Sequence, residues 1–232
     1  MMRVLAVNGS PRMGRGLTEL VLGSFLDGMR EAGAEVERLY AQHIDLKPCA
    51  CGEMHCWYTT PGACCIHDGM DEVVPKLRAA DTLVLATPVY IPLPERMQTF
   101  INRLCPIVEP WLTFVGGRTR GRLRDGYALR RFVAVVTGGW WESENGDTVV
   151  RIVEELAADA GVEFAGALVR PHAFLMRNEA GPTVGGQAVL DAARRAGREL
   201  AETGRMAPET LAEVRRPLVA EEELRRLYNA WV

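Results

Sequence analysis

Glycine, hydroxyl and arginine residues near the N-terminus have the types and the spacing of an anion-binding loop. They follow a short apolar run in the order Gly9, Ser10, Arg12, Gly14, Gly16, Leu17 and Thr18. Small residues let backbone N–H groups approach a phosphate, and the start of a helix adds a partial positive charge. The segment therefore predicts a phosphate site, although an ordinary strand-to-helix turn would also explain the glycines alone.

Two later segments have residues that could hold the flat aromatic part of the same ligand. They are Thr87-Pro88-Val89-Tyr90-Ile91-Pro92 and Thr137-Gly138-Gly139-Trp140-Trp141. A proline and an aromatic ring offer an apolar edge, and paired glycines offer backbone amides to a polar rim. Flavin mononucleotide (FMN) would use all three segments, with its phosphate in the first and its ring between the other two. The alternative is that Tyr90, Trp140 and Trp141 cap the end of a sheet as core aromatics.

Two other nucleotide sites fit the first loop less well. A P-loop is disfavoured because the loop has no Gly-Lys-Ser/Thr ending. A dinucleotide fingerprint is disfavoured because the glycine spacing differs and no acidic residue closes the second predicted strand.

Cysteine residues crowd into one segment of the chain. The clustered ones are Cys49, Cys51, Cys56, Cys64 and Cys65. Thiolates this close repel one another unless protons, a cation or a cluster neutralises them, and four thiolates suit zinc or an iron–sulfur cluster. A site without metal stays a third alternative. We expect His55 and His67 to be polar surface residues, and Cys105 to be a small buried apolar residue.

The elements that must position these residues follow from hydrophobic patterning. Predicted strands lie at Arg3–Asn8, Glu35–Tyr40, Thr82–Thr87, Phe132–Thr137 and Glu163–Val169. Predicted helices lie at Leu17–Ala32, Met70–Ala79, Glu95–Leu104, Thr148–Ala160 and Gln187–Glu202. Continuously apolar strands that alternate with helices are typical of a parallel sheet covered on both faces. We therefore predict an α/β fold, an open doubly wound five-stranded parallel sheet of order 2-1-3-4-5, with ligands beyond the carboxyl ends of its strands.

Three regions exceed this core. One is the cysteine-rich loop, residues 41–69, and another is the connection 105–131, rich in proline, glycine and arginine. The third is a tail with two predicted helices, Pro208–Arg215 and Glu221–Trp231. We predict one domain over residues 1–203 and a C-terminal helical extension over residues 204–232. Long loops in a compact domain are commonly functional or oligomeric.

Charge and composition argue against several classes of partner. The net charge of -3 gives no general attraction for nucleic acid or for a membrane. A basic cluster is the local exception: Arg118, Arg120, Arg122, Arg124, Arg130 and Arg131. It is either a solvated loop or a site for a cofactor phosphate or an acidic partner. The chain shows no signal peptide and no membrane span, so we expect a cytoplasmic protein with reduced thiols.

These motifs together resemble a known family, the NADPH-dependent FMN reductases and iron–sulfur flavoproteins of the flavodoxin-like superfamily, roughly over residues 3–203. "VNGSPR" is similar to the family's phosphate loop, and "ADTLVLATPVYIPLPERMQTFINR" and "VVTGGWWE" to its flavin loops. The resemblance implies that Ser10, Arg12 and Thr18 hold the FMN phosphate. At position 17 the family usually has an asparagine, so here only the backbone of Leu17 could serve.

The cysteine segment "PCACGEMHCW…GACCIHDGM" resembles the cysteine motif of the iron–sulfur flavoproteins. Cys49, Cys56 and Cys64 match its first, third and fourth cysteines, and Cys51 lies one residue before the second. The resemblance therefore implies a [4Fe–4S] cluster on these four cysteines.

The resemblance implies an FMN-dependent NAD(P)H oxidoreductase that reduces a quinone, flavin or similar acceptor, with NAD(P)H as co-substrate. No side chain is predicted to act as acid or base; Tyr90, Trp140 and Trp141 are candidates to shape the open face of the ring. One alternative is an iron–sulfur flavoprotein that carries single electrons between ferredoxin-like donors and FMN, with a redox protein as partner. Another is a flavin-binding domain whose zinc-bound loop and terminal helices serve assembly.

We also expect a homodimer or homotetramer, because such assemblies are common in the family. The tail has an apolar stripe that could pack on its own domain or on a neighbouring subunit: Leu224, Leu227, Tyr228 and Trp231.

Overall fold

A five-stranded, all-parallel sheet forms the centre of the protein. The computed structural model describes residues 1–230. The sheet has the order β2-β1-β3-β6-β7, which confirms the predicted flavodoxin-like fold. Its strands are β1 (Arg3–Asn8), β2 (Glu35–Tyr40), β3 (Thr82–Pro88), β6 (Arg131–Thr137) and β7 (Glu163–Arg170).

Helices cover both faces of this sheet, so its central strands are apolar along their whole length. The helices are α1 (Leu17–Glu31), α2 (His55–Tyr58), α3 (Met70–Ala79), α4 (Glu95–Asn102), α5 (Asp147–Ala160), α6 (Val184–Thr203), α7 (Pro208–Arg215) and α8 (Glu221–Asn229). One core lies between the sheet and α3, α4 and α5. The other lies between the sheet and α1 and α6, and α7 adds Val214 to it.

Helices α1 and α6 approach so closely that glycine is required where their backbones meet. A Cβ atom at Gly28 would lie 1.8 Å from the carbonyl oxygen of Arg194, and one at Gly197 would lie 1.9 Å from that of Phe25. Any larger side chain would force the helices apart. The two glycines therefore set a short distance between α1 and α6 near the C-terminal end of α1.

The connection between α4 and β6 differs from the expectation of a loop. It contains an antiparallel hairpin, β4 (Val108–Val115) with β5 (Arg118–Leu123). A two-residue antiparallel pair, β8 (Arg177–Asn178) with β9 (Gly181–Pro182), also was not predicted. The predicted helix ends differ from the observed ones by a few residues.

The hairpin changes the interpretation of the basic cluster. Arg118 and Arg120 pair with Glu155 of α5, Arg120 also pairs with Asp159, and Arg122 pairs with Glu109. These arginines therefore lie on a strand and not on a loop, and they pair with α5 and within the hairpin, while Arg118 and Arg122 remain more than half exposed.

The tail follows the prediction only in part. Helix α7 has the predicted bounds, and α8 ends at Asn229. Leu224 of the apolar stripe is buried in its own chain, whereas Trp231 lies outside the described residues. Within residues 1–230, no helix has the length and apolarity needed to cross a membrane.

Candidate functional site

A cavity of about 330 Å³ lies at the carboxyl edge of the sheet, where the three predicted loops meet. Most of the predicted site residues line it: Ser10, Arg12, Leu17, Thr18, Pro88, Val89, Tyr90, Thr137, Gly138 and Gly139. Ala173, Phe174 and Tyr228 complete the lining, and sequence reasoning missed all three. The cavity therefore brings together segments that are far apart along the chain.

The first loop is held in shape by Asn8, the last residue of β1. Its carboxamide oxygen accepts a hydrogen bond of 2.8 Å from the amide of Ser10, and its nitrogen donates one of 2.8 Å to Glu19. The amide of Gly9 donates to the carbonyl of Ala86 in β3 at 2.8 Å. The hydroxyl residues Ser10 and Thr18 are thereby buried in the wall of the cavity.

The N-terminus of α1 faces this loop without a capping side chain. Its N-cap residue is Gly16, which offers no side-chain oxygen to the first-turn amides. Gly16 itself does not line the cavity. A Cβ atom at this position would lie 2.7 Å from Oγ of Ser10, so the absence of a side chain allows the loop to close. First-turn amides without a side-chain cap, two hydroxyls and Arg12 form a donor set that fits a phosphate.

Short hydrogen bonds join the third loop to the first and the second loop to the third. The hydroxyl oxygens of Thr18 and Thr137 lie 2.7 Å apart, and the amide of Val89 donates to the carbonyl of Thr137 at 2.8 Å. The amide of Gly138 donates to the carbonyl of Arg170, so it is engaged within the protein. The paired glycines therefore offer fewer backbone donors to a ligand than the sequence indicates.

Two other predicted residues, Ile91 and Trp140, lie outside the cavity lining. Ile91 is fully exposed and the Trp140 side chain is 67% exposed. Tyr90 is also more than half exposed, so the alternative of core aromatics is wrong for Tyr90 and Trp140. Trp141 is half-buried and donates its indole N–H to the carbonyl of Val219 at 3.0 Å.

A buried arginine at the end of β7 supports the third loop and the tail. Arg170 is fully buried, and its guanidinium donates to the carbonyls of Val214 and Arg216 at 3.0 and 2.8 Å. It also donates to Nε2 of His172 at 2.8 Å, and the amide of Leu218 donates to the same nitrogen at 3.0 Å. Because both partners are donors, His172 is neutral and carries its proton on Nδ1. Burial, and then the charge of Arg170, lower the pKa of His172 to about 4.

The cysteine thiols are neighbours, and Cys105 joins them although it lies far along the chain. The Sγ atoms of Cys49 and Cys51 are 4.0 Å apart. Burial, followed by the neighbouring thiols of Cys105, Cys51 and Cys64, raises the pKa of Cys56 to about 12. Cys105 is half-buried, so it is not simply a buried apolar residue as expected.

Arg103 at the end of α4 fastens both ends of the cysteine segment. It is buried and donates to the carbonyls of Lys47 and Ile66 at 2.8 and 3.1 Å, and it pairs with the buried carboxylate of Asp68. Helix α4 starts beside the second loop and spans about 12 Å. The thiols therefore lie at the far end of α4 from the cavity.

The arrangement of these thiols is not that of a formed metal site. Thiols are the correct donors for zinc or an iron–sulfur cluster. Across residues 1–230, however, no three His, Cys, Asp or Glu side chains are placed to hold a metal ion. The set Cys49, Cys51, Cys56 and Cys64 therefore stays a prediction.

Comparison with known proteins agrees with the family resemblance. Residues 2–104 match the model of the NADPH-dependent FMN reductase family. An iron–sulfur flavoprotein from Methanosarcina thermophila is 33% identical over 104 residues, which are 44% of this chain and 52% of that protein. One from Archaeoglobus fulgidus is 29% identical over 140 residues, 60% of each chain. The chain spans about half the length of the first of these relatives.

Solved structures share the fold at low sequence identity. An NAD(P)H:quinone oxidoreductase from Methanothermobacter marburgensis has a TM-score of 0.60 at 16% identity, covering 86% of this chain and 96% of that one. An FMN-dependent NADH-azoreductase from Bacillus anthracis, solved in complex with FMN, has a TM-score of 0.58 at 14% identity, covering 87% of this chain and 100% of that one.

Because His172 is neutral in the folded protein, we expect the free energy of unfolding to depend on pH. Its pKa is about 4 when folded and near 6.5 when unfolded, so the unfolded chain takes up a proton first as the pH falls. The free energy of unfolding should therefore fall by about 2 kcal/mol between pH 7 and pH 5 on account of this residue alone. The variant His172→Asn should lose this pH-dependent part of the free energy of unfolding. Asparagine is suitable because it tolerates the positive φ of 35° at this position. Urea unfolding at both pH values measures it; equal pH slopes in the two proteins would contradict the assignment.

Proposed function

Because residues 2–104 match the family of NADPH-dependent FMN reductases, we propose that this chain binds FMN and acts as an FMN-dependent NAD(P)H oxidoreductase. One observation carries the proposal. Three loops from β1, β3 and β6 meet in one cavity at the carboxyl edge of the sheet, the place where doubly wound folds bind nucleotides. Quinones, flavins or similar molecules are the proposed acceptors.

The first loop would hold the phosphate of FMN. Ser10 and Thr18 supply buried hydroxyls, the start of α1 supplies first-turn amides, and Arg12 supplies a positive charge. Leu17 contributes its backbone and an apolar side chain. The hydroxyls, the amides and the guanidinium are hydrogen-bond donors, which a phosphate requires, and Leu17 can contact the ribityl chain that carries it.

The opposite wall would take the flavin ring. Val89, Tyr90 and Phe174 present apolar surface there, and Gly138 has no side chain that would intrude on a flat ring. FMN, when bound, supplies the chemistry, since it accepts a hydride from NAD(P)H and returns electrons to an acceptor. The protein orients the ring, limits access of water and leaves one side open to substrates.

The basic cluster gives no support to a choice between NADH and NADPH. Arg118, Arg120 and Arg122 are paired with acidic residues of the hairpin and α5. A 2′-phosphate would have to compete with those carboxylates.

A second candidate function is electron transfer through an iron–sulfur cluster on Cys49, Cys51, Cys56 and Cys64. The observation that favours it is the gathering of the thiols of Cys51, Cys64 and Cys105 near Cys56. The matching relatives are named iron–sulfur flavoproteins. In this function the partner would be a redox protein.

We propose, further, that the chain assembles as a homodimer, which can pair into a homotetramer, through the hairpin of β4 and β5. Four large apolar side chains of the hairpin are exposed, namely Trp111, Leu112, Phe114 and Val115. Each of the four is more than 60% exposed, and large apolar side chains exposed close together are typical of a surface that a partner covers. A second copy that presents the same hairpin across a two-fold axis would cover both patches.

We also propose that residues 1–203 form one domain and residues 204–232 an extension of it. We propose a cytoplasmic location for the protein. The chain changes direction at this boundary, because α6 ends at Thr203 and Gly204 follows with a φ of 78°.

The phosphate assignment is tested by Arg12→Ala. Loss of one charge-assisted hydrogen bond at an exposed site should weaken FMN binding about tenfold and leave riboflavin binding unchanged. Arg15→Ala is the matched control, because Arg15 is exposed on the next turn and does not line the cavity. Titration calorimetry with both flavins measures the effect.

Wild-type protein that fails to bind FMN, or that binds FMN but oxidises neither NADH nor NADPH with a quinone present, would contradict the proposed function. Equal losses for FMN and riboflavin in Arg12→Ala would contradict the phosphate assignment alone.

The cluster is tested by purifying the protein without oxygen and measuring iron and acid-labile sulfide. We expect about four of each per chain if the second function holds, and Cys56→Ser should remove both, while Cys65→Ser, at an exposed thiol, should retain them. Stoichiometric zinc without sulfide, or no metal at all, would contradict it.

The hairpin interface is tested by the double variant Trp111→Ser and Phe114→Ser. Wild-type protein should have the mass of a dimer or tetramer by light scattering, and the variant that of a monomer, because the apolar patch is removed. Tyr58→Ser is the control, since Tyr58 is equally exposed elsewhere. A monomeric wild-type protein, or a variant that remains a dimer, would contradict this interface.

A further inference from the structure

Helix α8 brings an aromatic side chain into the candidate cavity from outside the segment that matches the family. That segment ends at residue 104, whereas Tyr228 lies in the C-terminal extension. Tyr228 nevertheless lines the same cavity as Ser10, Thr18 and Gly139.

Tyr228 contacts the third loop and the segment after β7 at once. Its hydroxyl donates to the carbonyl of Gly139 at 3.0 Å. Its ring packs edge-on against Phe174, with ring centroids 5.4 Å apart and an interplanar angle of 76°. Burial raises the pKa of Tyr228, so the hydroxyl keeps the proton that it donates.

Several hydrogen bonds hold the segment before α8 on the domain, so the position of Tyr228 does not depend on one contact. Arg170 binds the carbonyls of Val214 and Arg216, and Trp141 binds that of Val219. On α8 itself, Leu224 is buried against the domain. The helix therefore sits in a fixed position beside the cavity.

The cavity lining combines polar and apolar groups, and Tyr228 is grouped with the apolar ones. Ser10, Arg12 and Thr18 supply polar groups to the lining. Tyr228 instead contacts Phe174 and the backbone of Gly139. Its aromatic ring offers stacking or edge contacts to a flat ligand, but nothing to a phosphate.

We propose that Tyr228 is a cofactor-contacting residue, a wall supplied by the C-terminal extension that packs on the flavin ring and positions the third loop through Gly139. This inference rests on the proposed binding of FMN. The C-terminal extension thus takes part in choosing the cofactor. Tyr228 recognises the ring of the cofactor and not its phosphate.

The test compares FMN with riboflavin in three variants of α8. Tyr228→Ala should weaken the binding of both flavins by about tenfold, because the lost contact is with the shared ring. Tyr228→Phe keeps the ring and should remain within about threefold of wild type for both. Arg225→Ala, exposed on the same helix, should bind both flavins as wild type does.

Each outcome has a distinct meaning. Wild-type protein that binds no flavin would overturn the proposed function, and this inference with it. Wild-type binding of FMN with unchanged affinities in Tyr228→Ala would overturn the inference alone, as would a loss confined to FMN. If circular dichroism shows that Tyr228→Ala is unfolded, Tyr228→Leu replaces it, since leucine keeps apolar contact with Phe174 but has no aromatic face. The same tenfold loss for both flavins is expected.

Discussion

Parallel pairing of β1, β3 and β6 is the constraint on which the remainder of the structure depends. Their hydrogen-bonded registers place Asn8 beside Ala86, and Pro88 beside Thr137. Because all three strands run the same way, the loops that follow them must leave at one edge of the sheet. The chain also turns to opposite sides of β1, towards β2 and then towards β3, so a crevice opens above β1. The position of the cavity therefore follows from the direction and order of the strands and not from particular side chains.

Much of this arrangement could be predicted from the sequence, because buried parallel strands have a strong and local signal. The bounds of β1 and β2 agree with the prediction, and β1 is an apolar run that ends at a clear Gly-Ser-Pro turn. The hairpin of β4 and β5 was missed although its turn had a known signal. Gly116 and Gly117, both with positive φ, separate two strand-forming runs. The arginines of β5 obscured that pattern, because a row of charges indicates a loop when the partner carboxylates on α5 are not known.

Other features could not be predicted, because they depend on contacts between distant segments. Tyr228 and Phe174 enter the cavity only after the chain has returned past β7. Arg170 would be expected in solvent at the end of a strand, yet backbone carbonyls of the tail and the ring of His172 surround it. Cys105 lies beside Cys56 because Arg103 and Arg124 fold the cysteine segment against the end of α4. In each case the decisive partner is a backbone atom, which has no sequence signature.

The glycine contact between α1 and α6 has a mechanical consequence. Backbones that touch at Gly28 and Gly197 leave no room for one helix to slide or roll on the other. This contact fixes α1 against α6 near the C-terminal end of α1, about three turns from the loop that precedes the helix. A side chain larger than glycine at position 197, which does not line the cavity, would push α1 outwards together with the loop that precedes it. The shape of the cavity therefore depends on a residue that never touches its contents.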